Sequence, residues 1–440
     1  MTTWNTAAAD AMLKQVFQDP LFDGVVLHSK VLDLFQQNSN VKEGPQGRYV
    51  ELAHMFGYNE GIGARNEDGF LPIPGNPTFV NGRVYLKKNL AVAQMTRNVM
   101  ANAVKSKAAF ADWAEIELTK TERGLQADLD RQAIGFGAGI ICRIDDAAPD
   151  ATVGIDAPYG LAGNVKGWAP GIRRGMTIVA GPNADGSSLR SNGQSAMVLS
   201  LNKAGNAGGG IVTFDRDVSA IGWAQNDYLF RGDDLGNNAP VNGVEVEMMG
   251  LAGLVDDGTI LDTLQNISRT DYDEWKAQYV DADAAPYSGA AAEILFLRMM
   301  DDAEELGGGM VSTFIMSNAA FRNAFVEVQK QLGYGAMTGP ANQKMGTKGI
   351  QVYYGDKSVN LRAFPKMIPG RVYGLDTSTL WRYHLSGFEW DDLTGAIWKQ
   401  VAVGQGIKDA WYAYGRTEME FGCSDPQRNV FADGIDETVA

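Results

Sequence analysis

The pattern of apolar and polar positions changes character several times along the chain. Gln46-Gly47-Arg48-Tyr49-Val50-Glu51-Leu52 reads as one extended arm, and Arg83-Val84-Tyr85-Leu86-Lys87-Lys88-Asn89-Leu90 as its partner. Between them, Met55 to Asn81 carries Gly57, Gly61, Gly63, Gly69, Pro72, Pro74, Gly75 and Pro77. Loops longer than about 12–15 residues with no structure of their own are uncommon and usually functional. From about Arg97 to Gly135 the period turns helical. Val99, Ala103, Phe110, Trp113, Leu118, Leu125 and Leu129 recur at helix-like spacings. At 1.5 Å per residue such a helix spans on the order of 55–60 Å, against a mean helix of about 12 residues.

From Thr152 to about Gly250 the pattern becomes short, glycine-punctuated runs: Met176 to Ala180, Ala196 to Leu201, Ile211 to Phe214, Tyr228 to Phe230 and Val244 to Met248. Short strands with frequent turn signals predict a small β-barrel or sandwich. Beyond Leu251 a mixed α/β texture returns. Glu293 to Leu306 and Ala319 to Leu332 read as amphipathic helices flanking a buried strand at Met310 to Met316, and Gly333 to Gly349 as a Gly-rich loop. The final ninety or so residues alternate strands and turns and are rich in Trp and Tyr. Ahead of the hairpin, about Ala8 to Gln37 reads as an arm with short helical pieces and an apolar patch at Val31, Leu32, Leu34 and Phe35. The fold class is α+β.

Composition narrows the function. The formal charge of −15 argues against a nucleic-acid-binding face, which would need a basic stripe. Asp256 to Glu305 holds thirteen acidic residues against three basic ones, a pattern best read as a solvated acidic face. The two cysteines, Cys142 and Cys423, fit no metal-ligand spacing and point to a reducing compartment. Neither a signal peptide nor a run long enough to span a membrane is visible.

Candidate chemistry is sparse. His28, His54 and His384 are isolated from one another, so neither a metal centre nor a catalytic triad is expected. Gly135-Phe136-Gly137-Ala138-Gly139 closes a helix, whereas a dinucleotide loop opens one after a strand. Asp271/Asp273 and Asp281/Asp283 do not continue into a calcium-loop pattern. No catalytic residue, cofactor or metal is assigned. The hairpin tip is different: Arg65, Glu67 and Asp68 sit beside Phe70, Leu71 and Pro72, so charged and apolar side chains share one excursion. Apolar patches rimmed by charge mark contact surfaces. A lid is the alternative, but there is no catalytic group for it to cover.

Several local texts, taken in order, resemble tailed-bacteriophage major capsid proteins of the Hong Kong 97-like fold. Glu67-Asp68-Gly69-Phe70-Leu71-Pro72 resembles the acidic tip of that family's extended loop. Met95-Thr96-Arg97-Asn98-Val99-Met100 is similar to the junction at which the loop returns to the P (peripheral) domain. Phe364-Pro365-Lys366-Met367-Ile368-Pro369-Gly370-Arg371-Val372-Tyr373 and the closing Trp411 to Cys423 text are also similar to this group.

The resemblance implies a layout: an N-terminal arm over 1–44, the extended loop (E-loop) hairpin over 45–95, and a P domain with its spine helix over 96–150. An inserted β domain would follow over 151–250, the A (axial) domain over 251–349, and return strands with a C-terminal β region over 350–440. It also implies self-assembly into hexamers and pentamers of an icosahedral virion shell, assembled in a host bacterial cytoplasm as a precursor around scaffold that then expands, and enclosing packaged double-stranded DNA without sequence-specific binding. Scaffolding, portal and decoration proteins are the expected partners. Inter-subunit contacts fall to the tip residues Arg65, Glu67, Asp68, Phe70, Leu71 and Pro72, and to Val31, Leu34 and Phe35 of the arm. Some relatives lock the shell covalently through a tip lysine. Met55 to Asn81 has none, so a noncovalent shell is expected. The alternatives are an encapsulin-type compartment shell or a phage tail or baseplate protein.

Overall fold

The computed structural model describes residues 31–39, 42–44, 47–57, 59, 61–76, 78–97, 113–161, 168–203, 210–232, 246–284, 287, 289, 291–332, 350–354, 357–392, 397–403 and 406–437. Most of the expected N-terminal arm (8–30), the first part of the expected spine helix (98–112) and the Gly-rich loop (333–349) lie outside these residues. In chain order come a 3-10 turn at Val31–Leu34, β1 (Gln36–Asn38), β2 (Lys42–Gly44), β3 (Gly47–Phe56), β4 (Thr78–Tyr85), β5 (Lys87–Thr96) and α1 (Trp113–Gln132). Then follow β6 (Ile140–Ile144), β7 (Thr152–Asp156), β8 (Thr177–Gly181), β9 (Ala196–Asn202), β10 (Ile211–Phe214) and β11 (Tyr228–Arg231). The rest comprises α2 (Leu251–Leu254), β12 (Thr263–Leu264), β13 (Ile267–Ser268), β14 (Gln278–Asp281), α3 (Glu293–Glu305), β15 (Thr313–Met316) and α4 (Asn318–Leu332). Last come β16 (Ile350–Tyr354), β17 (Lys357–Ala363), β18 (Arg371–Leu375), β19 (Leu380–Trp390), β20 (Lys399–Val403), β21 (Gly406–Cys423) and β22 (Val430–Asp433).

The expected hairpin needs one correction. β3 does pair with a return strand, with Tyr49 opposite Tyr85 and Phe56 opposite Thr78. That strand stops at Tyr85, however, and Lys87–Thr96 leaves the hairpin to pair with β21, Lys87 opposite Met419 and Thr96 opposite Ala410. Arg83 to Leu90 is one run in sequence and two strands in space. The switch allows Ala91, Ala93 and Met95 to turn inward, and it brings β5 under α1. The described part of the long helix has 20 residues, about 30 Å at 1.5 Å per residue. It buries Leu125 and Leu129, and the chain turns away through Gly137 and Gly139 at positive φ, where a side chain would be strained.

The inserted β region is a closed antiparallel barrel in the order β10-β7-β6-β11-β8-β9, with β9 returning to β10. It begins at Ile140, eleven residues before the expected boundary of 151. Ile140–Ile144 is nearly all apolar because residues on both faces of the strand are covered, so it lacks the alternation that marks a half-exposed strand. The described part of the expected Val244 to Met248 strand, from residue 246 on, is not a strand. Ile141, Ile155, Ile178, Val198, Val212, Phe214 and Leu229 fill the interior, with Trp223 edge-on to Phe214 at 5.3 Å.

The other large unit is a mixed sheet in the order β14-β22-β18-β15-β17-β16. Its alternation sorts side chains onto two covered faces. Phe314, Met316, Val372, Val430 and Ala432 meet α3 and α4, while Ile315, Tyr373 and Phe431 join the main core. A strand covered on both faces should be apolar throughout, as β15 is. The helices expected at Glu293 to Leu306 and Ala319 to Leu332 are α3 and α4 to within a residue. A third sheet runs β1-β19-β21-β20, with β5 on β21, and shares the main core with α1 and α2.

Candidate assembly interface

The hairpin has a fixed base and a free tip. At the base, the Arg83 N–H donates to the Gln265 carbonyl at 2.8 Å, tying β4 to the β12–β13 turn. Phe56 stacks on Tyr272 at 4.7 Å, and His54 lies 4.4 Å from Trp275 between ring centroids. Gly82 allows this closeness, since a Cβ there would sit 3.3 Å from both Ile267 and His54. Deeper in, Val50 and Val84 face each other and bury with Tyr383.

Beyond Phe56 the apolar side chains turn outward. Phe70, Leu71 and Ile73 are 94%, 89% and 87% exposed, and Ile62, Met55 and Phe79 are exposed as well. Burying one such side chain is worth roughly 1.5–3 kcal/mol, so leaving a cluster in water is a large forgone stabilisation. The tip is nevertheless organised. The Asn59 Oδ1 accepts the backbone N–H of Gly61 and of Gly75, both at 2.8 Å, and so pins the two sides of the loop together. The Arg65 Nε donates to the Phe70 carbonyl at 3.1 Å, and the Gly69 N–H donates to Asn66 at 2.9 Å. With Arg65 folded back, Glu67 and Asp68 project beside Phe70 and Leu71, and Pro72 is half-buried. The six expected tip residues are thus brought together on one projecting, preformed loop.

The three expected arm residues are placed elsewhere. Val31, Leu34 and Phe35 are buried in this chain's own main core, with Phe35 4.4 Å from Phe421 between ring centroids. The segment then continues into β1, which lies parallel to β19 with Gln36 opposite Trp381. An apolar patch before a hairpin reads the same in sequence whether it faces a neighbour or closes the chain's own core. Here it closes the core.

Sequence reading missed an ionic joint that seats the barrel on α1. Asp128 of α1 accepts from Arg131 at 3.1 Å and Gln132 at 3.0 Å, and pairs with Arg231 at the end of β11. Arg131 also pairs with Glu247, just past the barrel. Burial works to raise the Asp128 carboxyl, but Arg131 and Arg231 outweigh it and hold the group well below the usual carboxylate range. Glu247 is raised by burial, which its pairing with Arg131 does not offset, and the nearby Asp128 adds to the rise. Lys366 adds a contact to the Ala127 carbonyl at 2.5 Å, and Arg173 one to the Gly124 carbonyl at 3.3 Å. Arg131 and Glu247 lie 116 residues apart, so no local spacing could have paired them.

Among the described residues no cluster of His, Cys, Asp and Glu could hold a metal ion, and no helix is long and apolar enough to cross a membrane. Both thiols are buried, which pushes Cys423 up to about 12 and Cys142 further still.

No protein-family model and no curated protein matches the sequence. Solved structures do match. A chain of the cyanophage A-1(L) capsid asymmetric unit superposes with a TM-score of 0.51 at 8% identity, covering 98% of this chain and 99% of that one. The capsid of the myovirus phage XM1 aligns at a TM-score of 0.45 and 5% identity, over 96% and 97% of the two chains. A holo encapsulin complex from Synechococcus elongatus aligns at 0.42 and 8%, over 100% and 98%. All three extend over both chains nearly end to end, but the last two are too loose to carry an argument and the first superposes more closely. The fold is that of a phage capsid protein, as the resemblance in the sequence implied.

Proposed function

We propose that this chain is the major capsid protein of a tailed bacteriophage, assembling with copies of itself into an icosahedral shell around packaged double-stranded DNA. One observation carries the reading: an organised hairpin tip projects Phe70, Leu71 and Ile73 into water, while the cores among the described residues are closed. An apolar cluster of that size, rimmed by Glu67 and Asp68, fits a contact with another subunit. In this reading the mixed sheet with α3 and α4 serves as the axial domain, and α1 with the β5–β21 sheet as the peripheral one. The tip docks on a neighbour.

The shell is noncovalent. The described tip offers no lysine for a cross-link, and many weak contacts repeated over a closed surface reach high avidity. Scaffolding, portal and decoration proteins are proposed as separate chains. No catalytic role is proposed.

Electron microscopy of the native assembled material, at a resolution that traces the chain, tests the reading. Icosahedral particles with the 57–77 loop lying on an adjacent subunit are the expected result. A monomer or small oligomer with that loop folded on its own chain would overturn it. DNA as the particle content is expected, and a packaged enzyme instead would move the chain to the encapsulin class. The double variant Phe70→Asp with Leu71→Asp should yield folded subunits that fail to form normal particles.

A further inference from the structure

We propose that His54 is an acid-released latch holding the base of the hairpin on the β12–β13 turn. The seam is built from few parts. His54 and Phe56 of β3 lie against Trp275 and Tyr272, Gly82 of β4 presses on Ile267, and the Arg83 N–H reaches the Gln265 carbonyl. Gln265 and Asn266 both hold left-handed backbone, φ 53° and 66°, so the turn that receives the hairpin is tight and fixed in shape. Most of the attraction at this seam is apolar.

Its polar atoms are left over. The His54 Nε2 and both ends of the Gln265 amide are buried with no hydrogen-bond partner. Both lie against closely packed backbone: a Cβ on Gly82 would sit 3.3 Å from the His54 Nε2, and one on Gly422 would sit 3.0 Å from the Gln265 Nε2. Buried polar atoms without partners oppose closure by about 1–3 kcal/mol each. A neutral imidazole is tolerated between Trp275 and Phe56, while an imidazolium there must keep a charge in an apolar slot.

The charged groups on the elements around the slot are engaged with one another, with a hydroxyl or with backbone, or stand in solvent. Glu51 pairs with Arg83 at 3.5 Å, and Asp273 with Lys276 at 2.6 Å. Asp262 accepts from Thr270 at 2.5 Å, and Arg269 pairs with Asp256 at 3.2 Å. Glu420 accepts two backbone N–H groups, from Met249 and Phe421, while Asp271 and Glu274 are exposed. Burial therefore lowers His54 from its ordinary value of 6.5. The docked hairpin binds the proton more weakly than the lifted one. Docking is fully stabilised above the ordinary value and weakens as pH falls below it.

The test uses the unassembled full-length subunit, so its outcome does not depend on whether shells form. Hydrogen exchange of the Thr78–Tyr85 strand, corrected for the intrinsic pH dependence, is followed from about pH 7.5 to about pH 5.5, the range in which histidine titrates. Wild type should lose protection, approaching about tenfold per pH unit, the most that uptake of one proton can drive. His54→Phe keeps the ring against Trp275 and should show no such slope. The chain has three histidines, so imidazole resonances can be assigned with the same variant. Equal slopes in the two proteins would overturn the proposal. So would a His54 that titrates above its ordinary value, stabilised as a cation by the Trp275 face.

Discussion

Two excursions leave the same body and treat their apolar side chains in opposite ways. The barrel curls its strands until every edge is paired, and turns Ile141, Ile178, Val212 and Leu229 inward. The hairpin stays a ribbon, with Phe70, Leu71 and Ile73 outward at its tip. A closed sheet has no exposed edge and owes nothing to a partner. The ribbon has a third strand, β2, only at its base opposite Gly47 to Tyr49, and beyond it two strands alone are marginal and depend on what they touch. The barrel thus closes on itself and is joined to the body through buried ion pairs and through Tyr159 and Leu161, which pack in the main core, whereas the hairpin is held at its base and completed, in our reading, by another subunit.

The largest expected effect lies at the barrel's seat. Asp128→Ala leaves the buried Arg131 and the half-buried Arg231 without their shared carboxylate. Removing one partner of a buried ion pair costs about 3–5 kcal/mol. A clear fall in the urea midpoint is expected, and an unchanged midpoint would show that the joint carries no stability. In the wild type the Asp128 contribution is present above the ordinary carboxylate value of 3.8 and is lost as pH falls below it, because the folded chain holds that group lower still. The acid limb of the stability curve should therefore flatten in the variant.

Next comes the barrel interior. Leu229 is fully buried, and truncating a core leucine to alanine costs about 2–5 kcal/mol through lost burial and the cavity left behind. The loss should be confined to strands between Ile140 and Arg231 when read by hydrogen exchange. Equal loosening of α3 and β15 would mean that the barrel and the body fold as one unit, and the contrast drawn here would go with it.

What could be read in advance follows the range of the interactions. α3, β15 and α4 were legible because helical and apolar periods are local properties of their own residues. The prominence of the tip was legible too, since Gly and Pro exclude regular structure there while Phe70 and Leu71 supply a reason to project. The break at Leu86 was not, because Arg83–Leu90 keeps strand character throughout and only the identity of its partners changes, from β3 to β21. Val31, Leu34 and Phe35 could not be assigned to a neighbour or to the chain's own core without knowing that Phe421 waits for them. The ionic joint reaches 116 residues along the chain, and the Asn59 staple spans 16 residues of a loop that has no period to read.

The smallest effect on the folded chain should come from that staple, and it separates shape from stickiness at the tip. Asn59→Ala removes both hydrogen bonds across the loop but leaves Phe70, Leu71 and Ile73 in place. The site is exposed, so water replaces the lost bonds and the subunit should be destabilised by less than about 1 kcal/mol. If apolar surface alone drives docking, the variant will assemble as wild type does. If the tip binds because it is preformed, each copy must then lose loop entropy on docking, and that penalty repeats at every contact in a shell. We expect the second outcome: a higher critical concentration for assembly at nearly unchanged thermal stability, read by light scattering alongside a melting curve. An unchanged critical concentration would leave the apolar side chains as the whole of the contact and reduce the staple to a local detail of the loop.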